Sequence, residues 1–322
     1  MPKLLDVITA HERIAPFVAK TSVHQLWLTR RSSSYLWIKN ENEQPSGAFK
    51  LRGATNAALF SSNAETLETI SSGNHGAAVA YIARELKKRS VVWMPADSPL
   101  SKQQKIQSFG GEVKLVQAEG DWHRGLVQTI RKDSKIYFIH PYDDPQVIAG
   151  QGTVALEAMA QIPRLTSIYV PVSGGGLLSG VALAAKSINP RIKIYGVEPI
   201  NIGKVKSSFL SGSAVSTVKR NTIADALRAP NLGKIGFSLI QNYVDDIIQI
   251  KEEEIIEAMR FLHRPMPHPR YPYLQYKMLV EPSGAIATAA VLFGKLSPGK
   301  SPLAIVSGEG ISFEKHRELL TR

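Results

Sequence analysis

The 322-residue chain contains no cysteine. Disulfides, thiolate zinc sites and cysteine nucleophiles are therefore excluded together. No run approaches the ~18 consecutive apolar residues of a membrane span, and the opening Met1-Pro-Lys-Leu-Leu5 lacks the basic-then-apolar build of a secretory leader. A cytoplasmic protein without a membrane partner is expected. Acidic residues are scarce beside basic ones, 27 against 39, for a net charge of +12. Such an excess raises nucleic-acid binding as a reading. The positive residues are scattered, however, and the densest cluster, Arg84–Arg89 (RELKKR), closes one amphipathic helix with no interleaved aromatics. A basic surface that favours solubility and steers small anions fits better, so no nucleic-acid partner is expected. His75, His140, His263 and His268 show no metal-ligand spacing on any helix face, and His263 and His268 flank prolines and read as surface residues. No metal site is expected.

The content is 43% hydrophobic, enough for a large core and about two domains. Strand-like runs at 35–39, 91–94, 112–116, 135–139, 167–172, 193–197, 246–250 and 302–306 alternate with helical patterns at 51–60, 77–88, 101–109, 122–132, 147–162, 181–188 and 251–262. That alternation predicts parallel β-α-β units and an α/β fold. Residues 1–30 suit one or two short amphipathic helices. Residues 201–245 are hard to parse; 204–210 reads as helical and Gly233–Gly236 as a turn. Prolines 265, 267, 269 and 272 predict a loop over 264–273. No internal repeat is present.

Three stretches carry chemistry. In Ser46-Gly-Ala-Phe-Lys-Leu-Arg-Gly-Ala54, Lys50 lies between apolar Phe49 and Leu51 where a helix begins. Desolvation and the positive helix end both disfavour its ammonium form, and a neutral amine is what a Schiff-base nucleophile must be. A surface lysine snorkelling past its neighbours is the competing reading. In Ser173-Gly-Gly-Gly-Leu-Leu-Ser-Gly180, three glycines join a strand to a helix. This suits a phosphate, since glycine lets backbone approach the anion and the helix start offers free N–H groups. It is neither the dinucleotide fingerprint nor a P-loop. Ser71-Ser-Gly-Asn-His-Gly76 has the same build and suits a carboxylate, with Asn74 either bonding a hydroxyl or phenolate or serving only as a helix cap. Asp143 and Asp144 read as turn residues before Pro145.

SGAFKLRGA, SSGNHG and SGGGLLSG in that order resemble the fold type II pyridoxal-phosphate (PLP) enzymes, of the tryptophan synthase β type, and among them the serine/threonine dehydratases and serine racemases. The resemblance continues through HPYDDPQVIAGQGTVALE, GVEP at Gly196–Pro199, TIAD at Thr222–Asp225, EPSGA at Glu281–Ala285 and SGEG at Ser307–Gly310. It implies a two-lobed enzyme, with residues 1–50 and 148–322 forming a large cofactor-binding domain and 51–147 a small one that closes over substrate. By the resemblance, Lys50 holds PLP as an internal aldimine and shuttles the α-proton, and Phe49 packs on the pyridine ring. Asn74 bonds the ring oxygen, Ser173, Gly174, Gly175, Gly176 and Leu177 hold the phosphate, and Ser307 meets the ring nitrogen. Ser71, Ser72, Asn74 and His75 bind the substrate carboxylate. Ser72 stands where racemases of this type carry the acid/base opposite the lysine. The implied activity is dehydration and deamination of L-threonine or L-serine to a 2-keto acid and ammonia. Racemisation of serine or aspartate and dehydration of 3-hydroxyaspartate are alternatives, and a PLP-binding protein with impaired turnover is a third. A homodimer is implied. Lys204 stands where relatives with a cation site carry an acidic ligand, Ala226 replaces a glycine, and Glu309 replaces a glycine of the commoner SGGN. Nothing after SGEG reads as a regulatory extension, which predicts no feedback control by isoleucine.

Overall fold

The structure, a computed structural model, describes residues 1–28, 34–61, 63–117, 126, 127, 130, 133–216, 221–264, 267, 268, 271–275, 278–294 and 299–321. Most of the helix expected over 122–132 lies outside the described residues. In chain order the elements are α1 (Leu4–Ile14), β1 (Val23–Trp27), β2 (Tyr35–Asn40), α2 (Lys50–Phe60), β3 (Thr66–Ile70), α3 (Asn74–Glu85), β4 (Arg89–Pro95), α4 (Leu100–Ser108), β5 (Glu112–Val116) and β6 (Ile136–Phe138). There follow α5 (Pro145–Gln161), β7 (Ser167–Pro171), α6 (Gly176–Ile188), β8 (Lys193–Pro199), α7 (Lys204–Ser211), α8 (Lys234–Tyr243), β9 (Asp246–Ile250), α9 (Glu252–His263), β10 (Pro267–His268), β11 (Tyr271–Gln275), α10 (Pro282–Phe293), β12 (Pro302–Val306) and α11 (Phe313–Thr321).

Two sheets organise these elements. One has six strands in the order β1-β2-β12-β7-β8-β9, parallel except for the β1–β2 pair. The other has four parallel strands in the order β5-β4-β3-β6. Every residue of β3, β7 and β12 is buried. Helices cover both faces of such strands, so β7 (SIYVP) and β12 (PLAIV) are written as near-continuous apolar runs, whereas β3 (TLETI) also buries Thr66, Glu68 and Thr69. The largest apolar clusters lie around the six-stranded sheet, one joining α5, α6 and α8, the other α9 and α10.

Three parts of the fold and one side chain depart from the sequence reading. β1 forms the six-stranded sheet's antiparallel edge; its VHQLW buries only Leu26 fully and carries no strong strand pattern. Helix α8 begins at the expected turn near Gly233, because the Asp143 carboxylate accepts the Lys234 and Ile235 N–H groups (3.0 and 2.9 Å) and so caps it from 91 residues away. The proline-rich stretch expected as a loop contains the antiparallel pair β10–β11. In a two-stranded ribbon each strand is an edge, where proline is tolerated. His263, expected at the surface, is half-buried against His316, with ring centroids 5.0 Å apart.

Candidate active site

The lysine loop, the loop that opens with Ser307 and the glycine loop follow β2, β12 and β7, three adjacent parallel strands. Their carboxyl ends therefore share one edge of the sheet, the usual ligand side of an open α/β sheet. The chain reaches Lys50 through Gly47, whose φ of +79° needs a residue without Cβ. Residues 47–49 then pair with 307–309. Ala48 bridges Gly308, the Phe49 N–H donates to the Ser307 carbonyl (3.1 Å), and the Glu309 N–H donates to the Gly47 carbonyl (3.0 Å). Lys50 is thereby fixed beside Ser307 although 257 residues separate them in sequence.

Lys50 opens α2 and is half-buried, with Nζ donating to the Pro141 carbonyl at 2.6 Å and lying 5.3 Å from the centre of the Phe49 ring. Burial pushes its amine down to about 8. A neutral amine is then accessible near physiological pH, as nucleophilic attack on an aldehyde requires. Ser307 is buried, and its Oγ lies 3.4 Å from the Ser283 carbonyl.

The glycine loop enters α6 with Gly175 at φ +97°. The N–H groups of Gly175, Gly176 and Leu177 have no backbone acceptor among the described residues, so the helix start presents a row of donors. Ser173 and Gly174 anchor the loop: Ser173 Oγ accepts the Ala229 N–H (3.1 Å) and the Gly174 carbonyl accepts the Gly233 N–H (3.0 Å). A Cβ on Gly174 would lie 2.3 Å from the Tyr142 ring, and one on Gly176 would lie 2.9 Å from the Tyr142 carbonyl. Both positions therefore exclude side chains because Tyr142 packs against them. Nothing in the isolated stretch HPYDDP marks Tyr142 for that role. Asp144 caps α5 by accepting the Gln146 and Val147 N–H groups, so both acidic residues of this stretch are committed to helix starts.

The serine loop that follows β3 brings Ser71, Ser72 and Asn74 from the other sheet. Ser71 Oγ accepts the Gly73 N–H (3.2 Å), Ser72 is exposed, and Asn74 opens α3. Asn74 Nδ2 donates to Glu281 Oε1 at 2.6 Å, a pairing across 207 residues that no local signal shows. His75 is buried, with Nε2 at 3.2 Å from the Ile139 carbonyl. Burial and the nearby Lys50 hold it well below the ordinary histidine range, hence neutral. On α4, Lys102 pairs with Asp225, a second polar link between the two sheets' surroundings. A cavity of ≈660 Å³ opens behind Glu281 and Gly310, lined also by Asp225, Arg228, Glu252 and Lys315. It includes neither Lys50 nor the glycine loop.

Lys204 is 2% exposed, and its Nζ has no hydrogen-bond partner among the described residues. Burial lowers it to about 8, against the pull of Glu198. Glu198 itself accepts the Val205 and Lys206 N–H groups (3.0 and 2.9 Å).

A desolvated lysine, a row of unpaired helix-start donors and a buried serine, all on one sheet edge, fit an aldehyde cofactor with a phosphate arm. Together with the parallel sheets they define a PLP-dependent enzyme of fold type II. Residues 14–308 match the model of the family described as pyridoxal-phosphate dependent enzyme, and the chain belongs to that family; its cofactor is PLP. The chain is 39% identical over 293 residues to serine racemase of Arabidopsis thaliana, covering 90% of this chain and 85% of that protein. It is 35% identical over 326 residues to L-threo-3-hydroxyaspartate ammonia-lyase of Saccharomyces cerevisiae, covering 100% and 97%. Its fold is similar to the crystal structure of the threonine deaminase of T.th., with a TM-score of 0.88, 35% identity and coverage of 97% and 99%. Racemases and ammonia-lyases thus both stand among its relatives. No helix among the described residues is long and apolar enough to cross a membrane.

Proposed function

We propose that this protein eliminates water from a β-hydroxy amino acid, L-threonine or L-serine, and that water then hydrolyses the released enamine, through its imine, to a 2-keto acid and ammonia. The observation that carries the reading is the Lys50 amine, lowered by burial to about 8 and set beside Ser307 and Phe49. PLP supplies an electron sink for the α-carbon when bound. Lys50 is the group placed to hold the cofactor and to carry the α-proton at Nζ. The donors of Gly175, Gly176 and Leu177 would hold its phosphate, and Asn74 would bond its ring oxygen. The Ser307 hydroxyl is neutral, so at the ring nitrogen it would not enforce a proton as a carboxylate would. Ser71, Ser72 and the α3 start, with His75 behind them, receive the substrate carboxylate. The division into a cofactor domain of 1–50 with 148–322 and a closing domain of 51–147 belongs to the same reading.

Racemisation at the same carbon is the second reading. Ser72 favours it: an exposed hydroxyl on the β3–α3 loop, an element separate from the α2 helix that carries Lys50. The test is a screen of L- and D-serine, L-threonine and 3-hydroxyaspartate, with keto-acid detection and chiral analysis of the recovered amino acid. Keto acid from L-threonine or L-serine is the expected result; chiral inversion without it would replace the proposal with the racemase. Cofactor binding with no product from any of them would leave a protein without turnover. Ser72→Ala is expected to cut inversion by about 10²–10⁴-fold, the usual worth of a positioned acid/base, while elimination from the L-substrate changes far less. Equal losses of both activities would remove Ser72 from the acid/base role.

A further inference from the structure

Glu281 is the N-cap residue of α10 and is 2% exposed. Its Oε1 accepts from Asn74 Nδ2, while Oε2 is buried with no partner among the described residues. Two glycines of the loop after β12 press on this pair. A Cβ on Gly308 would stand 2.7 Å from Glu281 Oε1 and 3.1 Å from Asn74 Nδ2. One on Gly310 would stand 2.4 Å from Asn74 Oδ1 and 2.9 Å from Glu281 Oε2. The amide and the carboxyl are thus wedged together with no room for a third side chain.

We propose that Glu281 is a positioning residue for Asn74, fixing the rotation of its amide so that the site offers bound PLP a hydrogen-bond donor and not an acceptor. The proposal rests on the reading that Asn74 faces the cofactor's ring oxygen. A carboxylate only accepts, so Asn74 must turn its NH₂ group toward Glu281 and its Oδ1 toward Gly310. One N–H is committed to Glu281 and the second remains for an anionic ring oxygen. Once Glu281 can itself donate, as a carboxylic acid or a glutamine, the opposite rotation becomes allowed and the amide loses its single orientation.

The surroundings make that choice sensitive to pH. Burial, and after it Asp225, push the Glu281 carboxyl up to about 7, against the pull of Lys102, the Asn74 hydrogen bond and Lys105. Glu309 lies on the Lys105 side, and Arg228, Glu252, Glu253 and Lys315 line the cavity behind. Asn74, Lys102 and Lys105 come from α3 and α4, whereas Glu281 and Asp225 belong to the chain that follows β8. The carboxylate form is therefore favoured where α4 brings Lys102 against Asp225 and Lys105 near Glu309.

The test uses the full-length protein stripped of cofactor and reloaded with PLP. Its readouts are the absorbance and fluorescence of the bound cofactor from about pH 6 to 8, together with the PLP dissociation constant. Wild type is expected to show a spectral transition near pH 7. Glu281→Gln is expected to lose that transition and to bind PLP about ten-fold more weakly, a shift of ~1.4 kcal/mol. In an Asn74→Ala background, adding Glu281→Gln should change neither readout further. Wild-type behaviour in Glu281→Gln, or effects that simply add in the double variant, would overturn the proposal. Should Glu281→Gln fail to fold by thermal melting, Glu281→Asp replaces it: an acceptor drawn back by one methylene should keep a transition at shifted pH, and its loss counts against the proposal. Wild-type protein that takes up PLP away from Lys50 would instead sink the site assignment itself.

Discussion

Lys50→Ala is expected to lose the visible absorbance of bound PLP and all keto-acid formation while the polypeptide stays folded. The second half of that statement distinguishes a chemical role from a structural one. Burial drives the Lys50 amine down to about 8 from an ordinary value of 10.5. A base whose folded value lies below its unfolded value lends stability above the unfolded value, and that stability is lost as pH falls through the folded one. At neutral pH the ammonium is thus a burden on the cofactor-free fold, relieved only partly by its bond to the Pro141 carbonyl. Removing it should leave the cofactor-free protein at least as stable as wild type by thermal melting. In wild type, the rate of PLP uptake should climb with pH through about 8, tracking the neutral amine, and then level off. An alanine variant that still forms product would overturn the assignment, and an uptake rate flat across that range would remove the depressed amine from the argument.

Arg52→Met is expected to carry the largest stability loss. Arg52 is fully buried, as is Glu41, and Glu157 is 4% exposed. Its guanidinium donates to Glu41 through Nε and Nη2 (2.7 and 2.8 Å) and to Glu157 through Nη1 and Nη2 (2.7 and 2.9 Å). Lys39 closes the group by donating to Glu157, Gln161 and the Thr21 carbonyl, each at 2.8 Å. Burial alone would raise Glu157, yet Arg52 and Lys39 hold it below its ordinary value. Deleting the guanidinium leaves Glu41 buried without its cation, a change that costs about 3–5 kcal/mol when one partner of a buried pair is removed. Urea unfolding measures it. Arg52 lies two residues after Lys50 in the first turn of α2, so the same variant should also load PLP poorly. An unchanged unfolding midpoint would show that the cluster contributes nothing net.

Legibility in the sequence followed burial. SIYVP and PLAIV announce themselves because strands covered on both faces are apolar throughout. The glycine loop and the lysine loop are equally visible, since each is a local run whose backbone or side-chain chemistry is unusual by itself. What stayed hidden depends on partners far away in the chain. Asn74 meets Glu281, Asp143 caps a helix at Lys234, and Tyr142 fills the space that two glycines leave. Arg52 reads as an ordinary helix residue until the three elements that surround it are assembled. β1 and the β10–β11 ribbon were missed for another reason: edge strands need little apolar patterning and tolerate proline.

The position of β12 has a consequence for biosynthesis. It is the last strand of the chain, ending at Val306, yet it sits in the middle of the six-stranded sheet between β2 and β7. A nascent polypeptide that has already emitted β2 and β7 still lacks the slat that joins them, so those two strands have no common neighbour until β12 is made. Ser307 follows directly on that strand, so the backbone contact that fixes the Lys50 loop has no partner before its arrival.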